Sequence, residues 1–415
     1  MSTGRRKVYM TAGYQTVSMG TGRKEFNPKK PRPGLEEYIR EAGQGVLKRI
    51  GGGANVDEGV ISNFMAARFN RQGNLAALIP HIDETLRWKP CVRVEGACGS
   101  GGLGLMTGLK SVLAETAEVV LAVGVEVQNT VKAIYGADIL AGAGWYRGDR
   151  KKGHAYFFPA AFSDRAGAYF TKYGRDRTRK AFARWYRVAV ENARLCETAQ
   201  EFHNTTADLE AAALCEPTPR TFVDHLNVFD CSKVSDAGAA IAIVSEAGLA
   251  RIGVPKSEAV EVVAWGQVEA DLTAAPDDPT RLETTVRAVE KALNSAGIGP
   301  RDLATIECHD CFTMSGLLSV EAIGLAKPGE APDYVISGAT ARTGALPMNT
   351  CGGLIGWGHP VGGTGVRQAV TIWQQLTGRA GAWQVDVPVD RPYGLTVNMG
   401  GNDKTVIAVV YRRGA

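Results

Sequence analysis

No stretch of this 415-residue chain approaches the roughly twenty consecutive apolar residues that span a bilayer. The opening MSTGRRKVYM is basic but carries no apolar core of a secretory signal, and the closing YRRGA is not a peroxisomal tripeptide. Membrane association is not expected, and a cytoplasmic enzyme is. The eight cysteines, at 91, 98, 196, 215, 231, 308, 311 and 351, are too scattered for a disulfide framework. The C-x-x-C pair Cys308/Cys311 has no second pair at zinc-finger distance, so reduced thiols and no metal site are expected. Recognised nucleic-acid-binding motifs are also missing and the net charge is a modest +4, so nucleic acid is not expected as a partner. Histidine is scarce, at six residues.

Glycine, by contrast, is abundant. Fifty are present, well above the roughly 7% of an ordinary chain, and they imply many tight turns. With 45% hydrophobic and 22% charged residues, the rest describes a globular protein large enough for two domains, or for two halves sharing a core.

Positive charge is unevenly spread. Between Arg147 and Arg194 stand thirteen Lys/Arg against four acids, Asp149, Asp164, Asp176 and Glu191. Such a window reads either as a solvated helical surface or as a docking surface for a polyanionic small molecule.

Hydrophobic periodicity gives alternating elements. KVYMTAGYQT and GVISNFM read as strands around the amphipathic helix LEEYIREAGQGVLKRI. KPCVRVEGAC runs into a glycine loop and the helix LGLMTGLKSVLAE, and AEVVLAVGVEV is a buried strand of the parallel type. Residues of about 130–235 break this βαβ rhythm with the basic window, the aromatic cluster HAYFFPAAF and the helix RKAFARWYRVAVENARL, as a large insertion would. Alternation resumes at AGAAIAIVSEAGLARIG. In the second half come the strand EAVEVVAWGQV, the helix RLETTVRAVEKALNSAGI and the strand DLATIECHDCF. A second glycine loop, NTCGGLIGWGHPVGGTG, precedes the helix VRQAVTIWQQL and the strands YGLTVNMGGND and KTVIAVVYRR. Each half holds a glycine-rich turn, a helix and a core strand, which suggests a duplicated α/β unit.

The stretch VEGACGSGGLGL admits two readings. Gly99, Gly101 and Gly104 spell G-x-G-x-x-G, a dinucleotide fingerprint, and Glu126 ends the next strand where a ribose-binding acid would stand. Alternatively, Cys98 is a nucleophile at a helix mouth, its thiol acidified by the helix N-terminus, with glycines letting an acyl group approach and freeing N–H groups for an oxyanion. The second reading needs a base. His359 lies between glycines in GWGHPVGGTG, and His309 and Cys311 lie in ECHDCF at a strand end. Two imidazoles and two thiols at strand-end turns favour the nucleophile.

EGACGSGGLGL, HDCF with SVEAIGL after it, and CGGLIGWGHPVGGTG resemble the signature loops of thiolases. They are most similar to the sterol-carrier-protein-type branch, in which HDCF replaces the Asn-Glu motif of other thiolases. FPAAFSDRAGAYFTKYG and FDCSKVSDAGAAIAIVSEA match the family's loop domain and following strand, so the resemblance covers nearly the whole chain. It implies a five-layered α-β-α-β-α sandwich of two similar halves, residues 1–255 and 256–415, with an inserted loop domain at about 130–235, and a homodimer. It implies Cys98 as the nucleophile that carries the acyl group as a thioester. His359 would be its base, and His309 would complete the oxyanion site for the thioester oxygen. Cys311 would be the acid/base at the α-carbon. The backbone N–H groups of Cys98 and of Gly400 or Gly401 would form a second oxyanion hole. Coenzyme A and acyl-CoA would be substrates, with no permanently bound cofactor, and CoA is expected at the basic 147–187 segment.

Three features depart from the family pattern. VNMGGND stands where many thiolases carry a Cys-x-Gly motif, which leaves Cys311 as the second thiol. Asn349, Thr350, Cys351, Gly352 and Gly353 replace Asn-Pro-Ser-Gly-Gly, and Cys351 is expected to be structural. WYRGDRKKGHAYFFP is long and aromatic, suited either to a bulky or aromatic acyl chain or to core packing. The activity implied is cleavage of a 3-oxoacyl-CoA with CoA, as in β-oxidation, or the reverse condensation. Alternatives are a CoA-thioester retro-aldolase of the same fold, which Cys98 argues against, and a subunit active only with a small OB-fold, zinc-ribbon partner.

Overall fold

The computed structural model describes residues 6–414. Met1–Arg5, read above for a leader, Ala415, and the side chains of Lys151 and Lys152 in the basic window lie outside the described residues. The chain opens with strand β1 (Val8–Gln15) and helix α1 (Leu35–Leu47), then β2 (Glu58–Ser62) and β3 (Cys91–Val94). Helix α2 (Ser100–Leu113) leads to β4 (Val119–Glu126), all eight residues of which are buried. Residues 127–236 then leave the sheet and include α3 (Ala133–Leu140), α4 (Phe157–Tyr173) and α5 (Arg175–Ala193). The chain returns as β5 (Ala237–Ser245) and continues through β6 (Ala259–Glu269), α6 (Glu283–Ala296), β7 (Leu303–Glu307) and α7 (Thr313–Ala322). It finishes with α8 (Thr364–Leu376), β8 (Tyr393–Gly400) and β9 (Thr405–Arg413).

The strands form one nine-stranded sheet in the order β3-β2-β4-β5-β1-β6-β9-β8-β7. Read outward from the β1–β6 seam, the two sides follow one plan: two antiparallel pairings, then a parallel one. On the first side β2 also pairs in parallel with β3, and the matching place beyond β7 holds a single parallel bridge, Ile306 to Met348. The seam itself pairs Tyr9, Met10 and Thr11 with Glu261, Val260 and Ala259, joining the halves edge to edge.

Helices α2 and α8 fill the middle layer. Leu105, Met106 and Leu109 of α2 and Val366, Val370 and Trp373 of α8 share one core cluster with Met10, Ile241, Ile407 and Val409 from both sides of the sheet. Twelve of the thirteen residues of α8 are buried, as a helix covered on every side requires. Outside, α1 packs Tyr38, Ile39 and Val46 on the first half, and α6 and α7 join the cluster on the second. The two halves of this one sheet, with α2 and α8 between them and helices outside each, give the layers of the thiolase fold expected above.

Helices α3, α4 and α7 went unread in the sequence. HAYFFPAAF enters α4, with Pro159 at its third position. Proline is tolerated there because a first-turn N–H has no partner within the helix. Gly174, at φ +98°, turns α4 directly into α5.

Candidate active site

Three loops meet at one end of the middle layer. Cys98 lies between β3 and α2, His309 and Cys311 follow β7, and His359 precedes α8. Cys98 Sγ and one ring nitrogen of each imidazole lie within 4.8 Å of one another. The two imidazole centroids are 5.1 Å apart, with ring planes at 85°. All three residues and Cys311 line one cavity of about 480 Å³. Two imidazoles and a thiol at this spacing have the composition of a soft-metal donor set as well as of a catalytic cluster.

The glycines of the first loop bind no phosphate. A Cβ on Gly101 would stand 2.4 Å from the Gly365 backbone nitrogen, and one on Gly365 would stand 2.3 Å from Gly102 N. These glycines let α2 and α8 cross backbone to backbone, which leaves no room for a pyrophosphate. Gly99 is pressed on Thr405, where a Cβ would come within 3.0 Å of a methyl carbon. Glu126 takes no ribose role either. Wholly buried, it accepts hydrogen bonds from Phe64 N, Met65 N, Gly362 N and Asn63 Nδ2, pinning the His359 loop to the turn after β2. Burial lifts this carboxyl to about 7 against those four donors.

Cys98 is presented by strained backbone, since Ala97 before it holds φ +52°. A non-glycine residue there costs on the order of 1 kcal/mol. The expected acidification by the helix N-terminus does not prevail. Burial pushes the Cys98 thiol well above its usual range, and the nearby Cys311 and Glu126 add to the shift. Cys98 is therefore a resting thiol, and a base would be needed to ionise it.

His359 is held from both its backbone and its ring. Its N–H donates to Ser235 Oγ at 2.9 Å and its carbonyl accepts from Gln128 Nε2 at 2.7 Å. Thr364 Oγ1 lies 2.7 Å from its Nδ1 and donates its own proton to Pro360 O at 3.1 Å. With the hydroxyl proton so used, Nδ1 carries the imidazole hydrogen and donates to Thr364, and Nε2 keeps a lone pair. Nε2 is buried and has no partner among the described residues. Burial, helped by the Arg367 charge, drops His359 to about 3, so the ring is a neutral acceptor.

His309 is also buried, its pKa driven well below the usual value by burial and by His359 and Arg367. Asn398 on β8 contacts His309 Nδ1 at 3.2 Å and the Cys98 carbonyl at 3.0 Å. The Cys311 sulfur rests 3.5 Å from Ser315 Oγ, and burial lifts the thiol to about 12. Before this loop, the fully buried pair Glu307–Arg367, at 2.7 Å, ties the end of β7 to α8. Gly401 lines the cavity, whereas Gly400 backs the Cys98 loop: a Cβ there would stand 2.4 Å from Gly96 O. Cys351 lies behind the site against Arg367 and Thr371, and Cys308 is buried; neither lines the cavity.

The cavity wall is apolar and aromatic. From the WYRGDRKKGHAYFFP segment it takes Tyr156, Phe158 and Pro159, and Phe26, Phe69, Phe162, Phe222 and Phe312 add further rings. The basic window behaves differently from its sequence count. Acids from outside the window neutralise much of it: Asp138 pairs Arg150, Asp278 pairs Lys172, and Glu216 pairs Arg175. Asp333 pairs Arg177, Asp230 pairs the buried Arg179, and Glu210 pairs Arg184. Arg165 is buried too, bound to Asn402 Oδ1 and to the carbonyls of Pro279 and Arg281. Exposed cations stand elsewhere at the rim. Lys24, Lys29 and Lys30 flank the lining residues Phe26 and Pro28, and Lys132 flanks Val131 and Ala133.

Residues 266–413 match the family model described as Thiolase C-terminal domain-like. An acetyl-CoA acetyltransferase of Methanothermobacter thermautotrophicus is 32% identical over 385 residues, spanning 91% of this chain and 94% of that one. The chain belongs to the thiolase superfamily. It is an acyltransferase of the thiolase type. Sterol carrier protein 2 of Rattus norvegicus is 34% identical over 200 residues, 47% of this chain and 36% of that protein. Among solved structures, the Ltp2-ChsH2(DUF35) aldolase superposes with a TM-score of 0.77 at 20% identity, over 98% of both chains.

Asn398, Ser235, Gln128 and Thr364 were not found by reading the sequence. An Asn in the mostly apolar strand YGLTVNMG was the one available signal.

Proposed function

We propose that the chain is a thiolase that cleaves a 3-oxoacyl-CoA with CoA, or runs the reverse condensation, through an acyl-thioester on Cys98. The observation that carries this reading is the unpartnered Nε2 of a neutral His359 beside a thiol that burial keeps protonated. In the cleavage direction, His359 Nε2 takes the Cys98 proton and the sulfur attacks the 3-keto carbon. The C2–C3 bond then breaks, its electron pair passing to C2 of the departing acetyl-CoA enolate. His309 and the newly protonated His359 hold the thioester oxygen that bears this charge. The Cys311 thiol gives its proton to C2 and becomes a thiolate. A CoA thiol next surrenders its proton to that thiolate and attacks the acyl group on Cys98, restoring both cysteines once His359 returns its proton. Cys98 N–H and Gly401 N–H, the latter at the cavity wall, are the pair we assign to the second oxyanion hole.

The aromatic wall supports a bulky or aromatic acyl chain as substrate. For the CoA phosphates, the exposed Lys24, Lys29, Lys30 and Lys132 at the rim are better candidates than the internally paired cations of 147–187. We place a homodimer contact at β3, an edge strand with Val92 exposed and Trp88, just before it, 97% exposed. A small partner subunit, as the name Ltp2-ChsH2(DUF35) aldolase describes for that complex, would find apolar surface at Ile134, Tyr135 and Tyr146. No helix among the described residues is long and apolar enough to cross a membrane, and we place the enzyme in the cytoplasm.

The same fold likeness favours a second reading, retro-aldol cleavage of a CoA thioester, which needs no cysteine nucleophile. Cys98→Ala decides between them. Thiolysis in that variant is expected to fall by at least about a thousandfold, the order lost when a covalent nucleophile is removed. Cleavage that persists in the variant supports the aldolase reading and overturns ours.

A further inference from the structure

We infer that Asn398 is a positioning residue that fixes His309 as the tautomer protonated on Nε2 and ties that donor to the nucleophile loop. The chemical use of the donor rests on the thiolase reading; its geometry does not.

Asn398 lies on β8 and is 2% exposed. Its Oδ1 accepts from Gly102 N at 2.8 Å, in the first turn of α2. A backbone N–H can be met only by the amide oxygen, so this bond sets the orientation of the whole amide. The NH₂ group must then face the other way, where it finds Cys98 O at 3.0 Å and His309 Nδ1 at 3.2 Å. The reversed amide would set NH₂ against N–H and oxygen against carbonyl. With a donor opposite it, His309 Nδ1 is an acceptor, and in a neutral imidazole the hydrogen then sits on Nε2.

Thr364 imposes the opposite tautomer on His359. Two imidazoles 5.1 Å apart thus present unlike faces, an N–H donor from His309 and a lone pair from His359. One accepts the thiol proton while the other already offers a hydrogen to an oxyanion. Because the same amide holds the Cys98 carbonyl and the start of α2, donor and nucleophile keep their spacing together. The proton on His309 Nε2 also leaves that nitrogen no lone pair for a metal, which sets the cluster apart from a soft-cation site of equal composition.

The test is nitrogen NMR of the histidine side chains in the full chain labelled with ¹⁵N-histidine, with His309→Gln supplying the assignment. Wild type is expected to show His309 protonated on Nε2 and bare on Nδ1. Asn398→Asp, which places a carboxylate at Nδ1, is expected to move the hydrogen to Nδ1 or to add a second one. Asn398→Ala is expected to show both tautomers, and its kcat to fall at least tenfold while KM changes less than threefold. A wild-type His309 protonated on Nδ1 overturns the inference, whether or not either variant folds. So does an Asn398→Ala protein that keeps both the wild-type tautomer and the wild-type kcat. The tautomer is read without turnover, so thiolysis surviving Cys98→Ala would remove the thiolase reading and leave this assignment standing.

Discussion

At the floor of the cavity, Cys98, His309 and His359 come from three loops that lie far apart in sequence, and side chains hold the Nδ1 atoms of both imidazoles and the Cys98 carbonyl. The wall, drawn largely from Phe26, Phe69, Tyr156, Phe158, Phe162 and Phe222, is mostly apolar, and the cations beyond it are exposed or paired with Asp and Glu side chains. The floor is anchored in the middle layer, where α2 and α8 touch backbone to backbone. Much of the wall comes from the 127–236 excursion and the loop after β1. On the proposed reading, loops anchored in the middle layer would carry the chemistry, and a surface built on inserted helices would carry the choice of substrate.

Breaking the floor has the largest expected effect. His359→Ala removes the base and is expected to lower kcat by roughly 10²–10⁴, the range a positioned base contributes, as steady-state thiolysis would show. In wild type, burial lowers His359 to about 3, so the base is already deprotonated at every higher pH of interest. The rate of acylation in stopped flow should therefore show no acidic limb between about pH 5 and 8. An inflection near 6.5 would mean that the ring is solvated.

Altering the wall is expected to be milder and substrate-dependent. Phe158→Ala should raise KM roughly tenfold for an aryl 3-oxoacyl-CoA, within the range for removing apolar contacts, and leave acetoacetyl-CoA within about twofold. Equal losses on both substrates would place Phe158 in the core of the fold instead. Smallest are the charge changes. The double change Lys29→Glu with Lys30→Glu should raise the KM for CoA a few-fold, with the difference fading at high salt. Arg175→Ala, whose cation is spent on Glu216, should leave that KM within about twofold. The reverse ranking would return the phosphates to the 147–187 segment.

Sequence reading reached the floor more fully than its wiring. Cys98, His309, Cys311 and His359 announce themselves through short local patterns, a glycine turn or a strand end, and these survive any tertiary context. Most periodic elements were legible too, β4 among them as an apolar run, although it is parallel only to β2 and antiparallel to β5 along its whole length. Asn398 was not, because its bond to Cys98 spans 300 positions. Nor was the acidity of Cys98: a helix N-terminus is visible in sequence, but the burial that outweighs it is not. The pairing inside the basic window was hidden for the same reason, since the acids that meet its cations lie outside it. The β1–β6 seam, which makes one sheet of two halves, has no local signature.

The central claim is that Cys98 carries the acyl group. Intact and peptide mass spectrometry after brief exposure to a panel of acetoacetyl-, medium-chain and aryl 3-oxoacyl-CoAs tests it most directly. A thioester adduct confined to the Cys98 peptide, and discharged by added CoA, is the result the account predicts. Adducts absent with every substrate, or an adduct that maps to Cys311 or Cys231, would contradict it.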